Sequence, residues 1–351
     1  IELAEKGYVV TQKQSERLAQ YREIIRQTTG TQTLYTRDIN PGDTIKNLAL
    51  AQTLRRLRDQ GQEAFYQGDM AEHMSTYIQA KGGVIQSEDF EHYKVHWRDP
   101  VSFQYEDLTI TSMGPPSSGG ICLGQIMGML EPYDFDDLDH NNALYIQLLT
   151  EAERRAYADR SHYLGDPDFV SIPTEQLLSR AYLEQKMASF DPKRATASEH
   201  IAHGPLIGHE SDETTHYSIV DPFGNAISVT TTINGAYGSK LFDPELGFFY
   251  NNEMDDFSAK PGTPNMFGLI GGTANAIAPG KRMLSSMTPT IVTKQGELWQ
   301  VLGSPGGSTI ITTVLQIILN THHFNMGMQQ AVNQPRMHHQ WLPDLIQFES
   351  E

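Results

Sequence analysis

Cysteine is nearly absent from this chain: Cys122 stands alone among 351 residues, which excludes an intramolecular disulfide framework. Its setting, Ile121-Cys122-Leu123 after a Ser-Gly turn, is that of a buried structural thiol. Long apolar runs are missing too. None reaches the roughly 18 residues that mark a membrane-spanning helix, so no membrane span is expected. Basic residues are scarce, 26 against 43 acidic, giving a formal charge of -17. That balance argues against nucleic acid or an anionic membrane as a partner. Repeats, low-complexity tracts, the HExxH pair, the GxGxxG spacing and the calcium-loop pattern are all lacking. Neither a metal nor a cofactor is therefore implied.

What is present divides into a helical first part and a β-rich second part. Ser15 to Arg26 carries Leu18, Tyr21, Ile24 and Ile25 at helical spacing, and Asn47 to Leu57 repeats the pattern. Asp69-Met70-Ala71-Glu72 has the form of a capping box for a helix ending at Gly82-Gly83. Val101 to Ser112 alternates like a strand, and Pro115 to Gly120 is a turn leading into an apolar helix through Leu130. Asn142 to Leu164 reads as the longest helix. Ala195 to Glu213 is polar and contains Gly and His, the profile of an exposed, cleavable linker. Two β-branched runs around Asp221-Pro222-Phe223-Gly224-Asn225 predict a hairpin starting near Thr214. Further strands are expected at 247–250, 288–293 and 298–302, then a buried helix over 309–320. This order predicts layered packing of sheets covered by helices.

Five places are polar where a simple core would not be. Thr214 heads a strand, so cleavage just before it gives one residue both a hydroxyl nucleophile and an α-amine base. Thr232 and Asn234, two apart at the end of the second hairpin strand, share a face by alternation. They are either partners of Thr214 or an ordinary polar face. Asn251 to Ser258, with Glu253 and Asp256, clusters carboxylates and amides suited to an ammonium group, or forms a solvated acidic loop. Ser285 and Ser286 offer two adjacent hydroxyl donors for a carboxylate, or a turn before a strand. Gly303 to Ser308 lets backbone N–H groups converge at a helix N-terminus, an anion or oxyanion site if it is more than a turn. His216 alternates onto the strand face of Thr214 and is read as a satisfied strand histidine. The adjacent pairs His322-His323 and His338-His339 are read as surface or packing residues whose side chains diverge.

Taken together, Thr214-Thr215-His216-Tyr217-Ser218, Asn251 to Ser258, Leu284-Ser285-Ser286-Met287 and Gly303 to Ser308, all in order, resemble the γ-glutamyltransferase (γ-glutamyltranspeptidase) family of N-terminal-nucleophile hydrolases. Gly165 to Phe169 and Pro335 to Trp341 look like further family segments, and the resemblance covers essentially the whole chain. It implies an α+β fold, a four-layer αββα sandwich, and autocatalytic cleavage between Glu213 and Thr214. Residues 1–213 then belong to the large subunit and 214–351 to the small one, together one αββα domain incomplete at both ends. Thr214 becomes the nucleophile and Thr232 its hydrogen-bond partner. Asn234, Glu253 and Asp256 hold the α-amino end of a γ-glutamyl group, Ser285 and Ser286 its α-carboxylate, and Gly306 and Gly307 form the oxyanion hole. Glutathione and other γ-glutamyl compounds are the implied donors, with water, amino acids or peptides as acceptors, and the implied location is periplasmic or secreted.

Residues 259–268 look like the lid loop of bacterial members, with Phe267 where a tyrosine is usual; Phe267 can shield the site but cannot hydrogen-bond Asn234. The family's α-carboxylate arginine comes from a segment upstream of Ile1, and Arg282 is not put in its place. Ile1 is not a start methionine, and Ile346 to Glu349 reads as a strand in progress, so the chain is read as a processed or truncated piece. Two alternatives stay open. One is a glutaryl- or cephalosporin-type acylase of the same family; the other is an unprocessed, inactive fragment.

Overall fold

The alternation over 101–112 resolves into two strands, β1 (Val101–Tyr105) and β2 (Leu108–Ser112), because Glu106 takes a left-handed φ of 49° and reverses the chain. The computed structural model describes residues 1–135, 138–201, 214–260, 263 and 271–349. It divides into two compact units, Ile1–Trp97 with Ala236–Asn252, and Arg98–Gly235 with Glu253–Glu351.

The first unit is mainly helical. Thr11 and Gln14 form a reciprocal capping box at the start of Gln12–Thr29, and Gly30 ends that helix at φ 75°. Leu18 and Ile25 are buried as the periodicity predicts, whereas Ile24 is exposed. Asn47 caps Leu48–Gln60, and its amide donates to the Gly247 carbonyl at 2.7 Å. The capping box expected at Asp69 does not form. The helix Gly68–Ala80 starts one residue earlier without a side-chain cap, and Asp69 pairs with Arg56 at 2.6 Å instead. The expected strand at 247–250 is Phe248–Phe249, paired antiparallel with Phe242–Asp243.

In the second unit, α1 (Gly119–Leu130) and α2 (Ala143–Tyr163) are both largely buried. A hairpin follows, β3 (Thr215–Val220) and β4 (Ala226–Thr231), in register Thr215 to Thr231 through Val220 to Ala226. Strands β5 (Thr290–Lys294) and β6 (Glu297–Leu302) extend the first hairpin to a four-stranded antiparallel sheet in the order β6-β5-β2-β1. Leu108, Ile110 and Val292 bury one face of that sheet in a core shared with α1, α2 and α3 (Thr309–His322). Cys122 lies inside this core, where burial pushes its thiol up to about 12.

Helix α2 departs from the usual amphipathic arrangement. Its charged residues Glu151, Glu153, Arg154, Arg155, Asp159 and Arg160 are all buried. Most are paired: Arg154 with Glu151 at 2.6 Å and Asp344 at 3.0 Å, Arg155 with Glu151, and Asp159 with Lys186 at 2.6 Å. Of the linker expected over 195–213, the described part, 195–201, is exposed only in part. Ser198 is buried, its N–H donates to Asp344, and its carbonyl accepts from the Trp341 indole. Residues 202–213 lie outside the described residues. Removing one partner of a buried ion pair strands the other charge, so Glu151→Met, which takes from Arg155 the carboxylate it pairs with, is expected to lower unfolding free energy by about 3–5 kcal/mol. Urea denaturation of the variant against the parent checks this.

Candidate functional site

Hairpin register brings the first pair of candidates together. Because Thr215 faces Thr231, the next step outward sets Thr214 opposite Thr232, and the Thr214 hydroxyl donates to Thr232 Oγ1 at 3.4 Å. That is long for an O–H···O bond. Thr232 Oγ1 also accepts from the Asn234 backbone N–H at 2.9 Å. Asn234 is buried at a left-handed φ of 68°, beyond the end of β4. Thr232 and Asn234 therefore meet through a turn, not through the strand alternation the sequence suggested. Both line one pocket with Arg160, Thr214, Asp256, Leu284, Ser285, Ser286, Met287, Gly307 and Ile310.

One wall of the pocket is a hydroxyl pair. Ser118 clamps it, donating from its N–H and its hydroxyl to the Ser285 carbonyl, each at 2.8 Å, while the Ser117 hydroxyl donates to the Met287 carbonyl at 2.7 Å. Ser285 Oγ accepts from the Met287 N–H at 2.9 Å, and Ser286 Oγ accepts from Arg160 Nη2 at 3.0 Å. Each hydroxyl has thus spent an acceptor site on the protein and keeps its O–H as a donor, which suits an anionic ligand group.

Opposite chemistry comes from the short 3₁₀ turn Glu253–Asp256. The Asn275 amide holds this turn by donating to the Asp256 carbonyl at 2.7 Å. Asp256 keeps a partly exposed edge, yet burial, with Glu253 adding repulsion and Arg160 opposing it, pushes its carboxyl up to about 8. Burial raises Glu253 to about 7. A carboxylate that is costly to ionise alone gains most from a cationic partner. Of these two, Asp256 lines the pocket and Glu253 does not.

The glycine-rich turn closes the site. Gly306 (φ 125°) and Gly307 (φ 53°) adopt backbone conformations that favour glycine, and a Cβ on Gly306 would stand 2.4 Å from Thr309 Oγ1. They precede α3, whose first N–H groups and dipole favour an anion. Gly307 lines the pocket; Gly306 lies just beyond its lining. His216 packs against Gly303 and bonds Thr230 and Ser218, the satisfied strand histidine expected. Phe267 and Glu213 lie outside the described residues.

Away from the pocket, His322 and His323 do not diverge. Their ring centroids are 4.7 Å apart at the end of α3, and with Glu106 they offer ligand atoms within 4.8 Å of one another. Glu106 accepts from His322 Nε2 at 2.7 Å, and Asp107 beside it pairs with Lys294 at 3.5 Å. These contacts hold the β1–β2 turn to the end of α3 and to the end of β5.

The Gamma-glutamyltranspeptidase family model matches residues 1–351. The chain belongs to the gamma-glutamyltranspeptidase family. Among relatives, it is 44% identical over 351 residues to the "Glutathione hydrolase proenzyme" of Escherichia coli (strain K12), covering 99% of this chain and 60% of that protein. To the "Acylase ACY 1 proenzyme" of Pseudomonas sp. (strain V22) it is 33% identical over 340 residues, covering 96% and 58%. Among solved structures, cephalosporin acylase from Bacillus halodurans matches with a TM-score of 0.77 at 22% identity, over 96% of this chain and 60% of that one, a likeness of fold. Helicobacter pylori gamma-glutamyltranspeptidase matches with a TM-score of 0.54 at 37% identity, over 57% and 59%. The fold is the α+β fold of N-terminal-nucleophile hydrolases. The chain spans about 60% of the length of the curated relatives it matches.

Three residues at or beside this pocket were not expected: Arg160, Ser117 and Ser118. The serines lie in the turn before α1, where Ser-Ser reads as turn composition, and Arg160 lies on a helix read for its apolar side alone. A carboxyl whose pKa is higher folded than unfolded favours the fold in acid, and Asp256 loses that contribution as pH rises from about 4 through about 8. The melting temperature is therefore expected to fall between about pH 5 and about pH 8.5, and Asp256→Asn, uncharged throughout, to flatten part of that fall. Thermal melts of both proteins across this range check it.

Proposed function

We propose that this chain is the catalytic portion of a γ-glutamyltransferase that also acts as a glutathione hydrolase. The observation that carries this reading is the pocket itself, where a hydroxyl-donor pair (Ser285, Ser286) and the burial-raised carboxyl of Asp256 lie around the Thr214 hydroxyl. Donors for a carboxylate and an acceptor for an ammonium, one of each, suit the zwitterionic end of a γ-glutamyl group.

In this reading the precursor cleaves itself between Glu213 and Thr214, so 1–213 becomes the large subunit and 214–351 belongs to the small one. The freed α-amine, with an unperturbed pKa of about 7.7–8.0, takes the proton of the Thr214 hydroxyl as the oxygen attacks the γ-carbonyl carbon. Thr232 orients that hydroxyl. The tetrahedral oxyanion is met by the N–H groups of Gly306 and Gly307, donors whose loss typically costs about 10²–10³ in turnover. Collapse breaks the amide C–N bond, and the departing amine takes the proton, leaving a γ-glutamyl ester on Thr214. Water then gives hydrolysis, and an amino acid or peptide amine gives transpeptidation. Asn234, Glu253 and Asp256 hold the donor's ammonium, and Ser285 and Ser286 its carboxylate. Phe267 shields the bound donor. An exported location, periplasmic or secreted, accompanies this function.

A glutaryl-type acylase is the second reading, favoured by the 33% identity to a protein named acylase. Asp256 separates the two, because a glutaryl group has no ammonium to offset that carboxylate. Turnover of γ-glutamyl and glutaryl anilides by the full-length protein decides: a γ-glutamyl preference is expected, and a glutaryl preference overturns the proposal. Thr214→Ala is expected to abolish both chain cleavage and turnover, read on a denaturing gel and in the anilide assay. Cleavage persisting in that variant removes Thr214 as the nucleophile.

A further inference from the structure

The C-terminal end of α3 carries a cluster that the acyl-transfer reading leaves unused. Glu106, in the β1–β2 turn, and the adjacent His322 and His323 each offer a ligand atom, and those atoms lie within 4.8 Å of one another. Helix α3 has 14 residues, so at about 1.5 Å per residue the cluster stands roughly 20 Å from the glycine turn at the other end. Neighbouring side chains on a regular helix point apart, at 3.6 residues per turn. Here the helix ends at His322, and the two rings meet edge to face with centroids 4.7 Å apart.

The plainest sign of a ligand is on His322. Its side chain is 7% exposed, and its Nε2 donates to Glu106 at 2.7 Å. The other ring nitrogen, Nδ1, is buried and makes no hydrogen bond among the described residues. With the proton on Nε2, Nδ1 keeps a bare lone pair inside the protein, and a buried polar atom left so is costly. The ring has a nitrogen to spare for an electron-pair acceptor. His323 is positioned by its own contacts: its Nε2 meets the Tyr105 hydroxyl at 2.8 Å, and its ring stacks on Phe135 at 4.5 Å.

Charge around the cluster favours a cation. The Glu106 N–H donates to Glu131 at 3.3 Å, and Asp107 Oδ1 stands 3.9 Å from His322 Nε2. Against these three carboxylates stands Lys294, which pairs with Asp107 at 3.5 Å and lies over the Trp299 ring. An imbalance of that sign suits a divalent ion. Two imidazoles and a carboxylate form the donor set that zinc takes in sites with three protein ligands and a fourth position for water. Calcium and magnesium prefer oxygen throughout. Tetrahedral zinc holds its ligand atoms about 3.3–3.5 Å apart, given bonds of about 2.0–2.2 Å. The 2.7 Å pair must therefore open slightly, which the 43% exposed Glu106 side chain can supply by rotating.

We propose that Glu106, His322 and His323 form a site for one divalent transition-metal ion of the zinc class, which pins the β1–β2 turn to the end of α3. The ion is structural. It joins two elements far apart in the chain and takes no part in bond making at Thr214.

The test uses full-length protein stripped with a chelator and dialysed, then titrated with zinc chloride by calorimetry and with cobalt(II) chloride by visible absorption. Zinc is expected to bind at one equivalent, and Glu106→Gln and His322→Gln are each expected to weaken it by more than about a hundredfold, since losing even an outer-shell partner costs about 10–100-fold. Cobalt(II) is expected to give the d–d bands of a four- or five-coordinate ion in the parent and in neither variant. Saturating zinc is expected to raise the melting temperature of the parent alone, because an ion that binds only the folded state stabilises it. Parent protein that binds neither metal overturns the proposal, and so does binding of equal strength in parent and variants. Glu106→Gln alters an exposed side chain, so it keeps the test decisive should His322→Gln fail to fold.

Discussion

The second unit depends on burying the charged helix Ala143–Tyr163. From Leu148 to Ser161 this helix is buried on every side, so its ionised side chains must find partners inside the protein. Glu151 serves two arginines, and Asp159 gathers Lys186, Tyr182 and Gln125. The two arginines lie on the same helix, whereas Lys186, Tyr182, Gln125 and the Asp344 that meets Arg154 come from other segments, so the helix cannot shift without loosening those contacts. Near its C-terminal end the pattern changes, and Arg160 meets hydroxyls where its neighbours meet carboxylates. The helix thus brings Arg160 to the pocket lining.

The pocket forms around that fixed point from short segments with unusual backbone. Asn234 takes a left-handed turn straight after a strand, and Gly306 and Gly307 take positive φ straight before a helix. Serines 117 and 118 pin the loop of serines 285 and 286 through backbone acceptors, leaving its hydroxyl protons for a ligand. Groups that donate and groups that accept are thereby kept apart on separate elements. A ligand end carrying both charges can meet each without the two walls neutralising one another.

Much of this was legible in the sequence. The apolar pattern predicted helices over 15–26, 142–164 and 309–320, which run over 12–29, 143–163 and 309–322, and turn chemistry located the hairpin around Asp221 to Asn225. The candidate residues Thr214, Thr232, Asn234, Asp256, Ser285, Ser286 and Gly307 follow from motif order, and they share one pocket. The misses share a cause. Arg160 was unreadable because sequence pattern treats charge on a helix as solvent-facing, whereas burial is decided by partners far along the chain. The cap at Asp69 failed because a nearby Arg56 competes for the same carboxylate. The supposed alternation of Thr232 and Asn234 failed because the strand stops at Thr231, and only backbone geometry reveals that. The stretch at 195–201 was read as exposed from its polarity, but Ser198 is buried by Asp344 and Trp341.

The central claim is that the Thr214 hydroxyl carries the acyl group. Rapid acid quenching of the full-length protein during turnover of a γ-glutamyl ester, followed by peptide mass spectrometry, tests it directly. A γ-glutamyl increment on the peptide whose first residue is Thr214, lost on longer incubation, is the predicted result. Turnover with the increment on another residue, or with residues 213 and 214 still joined, contradicts it.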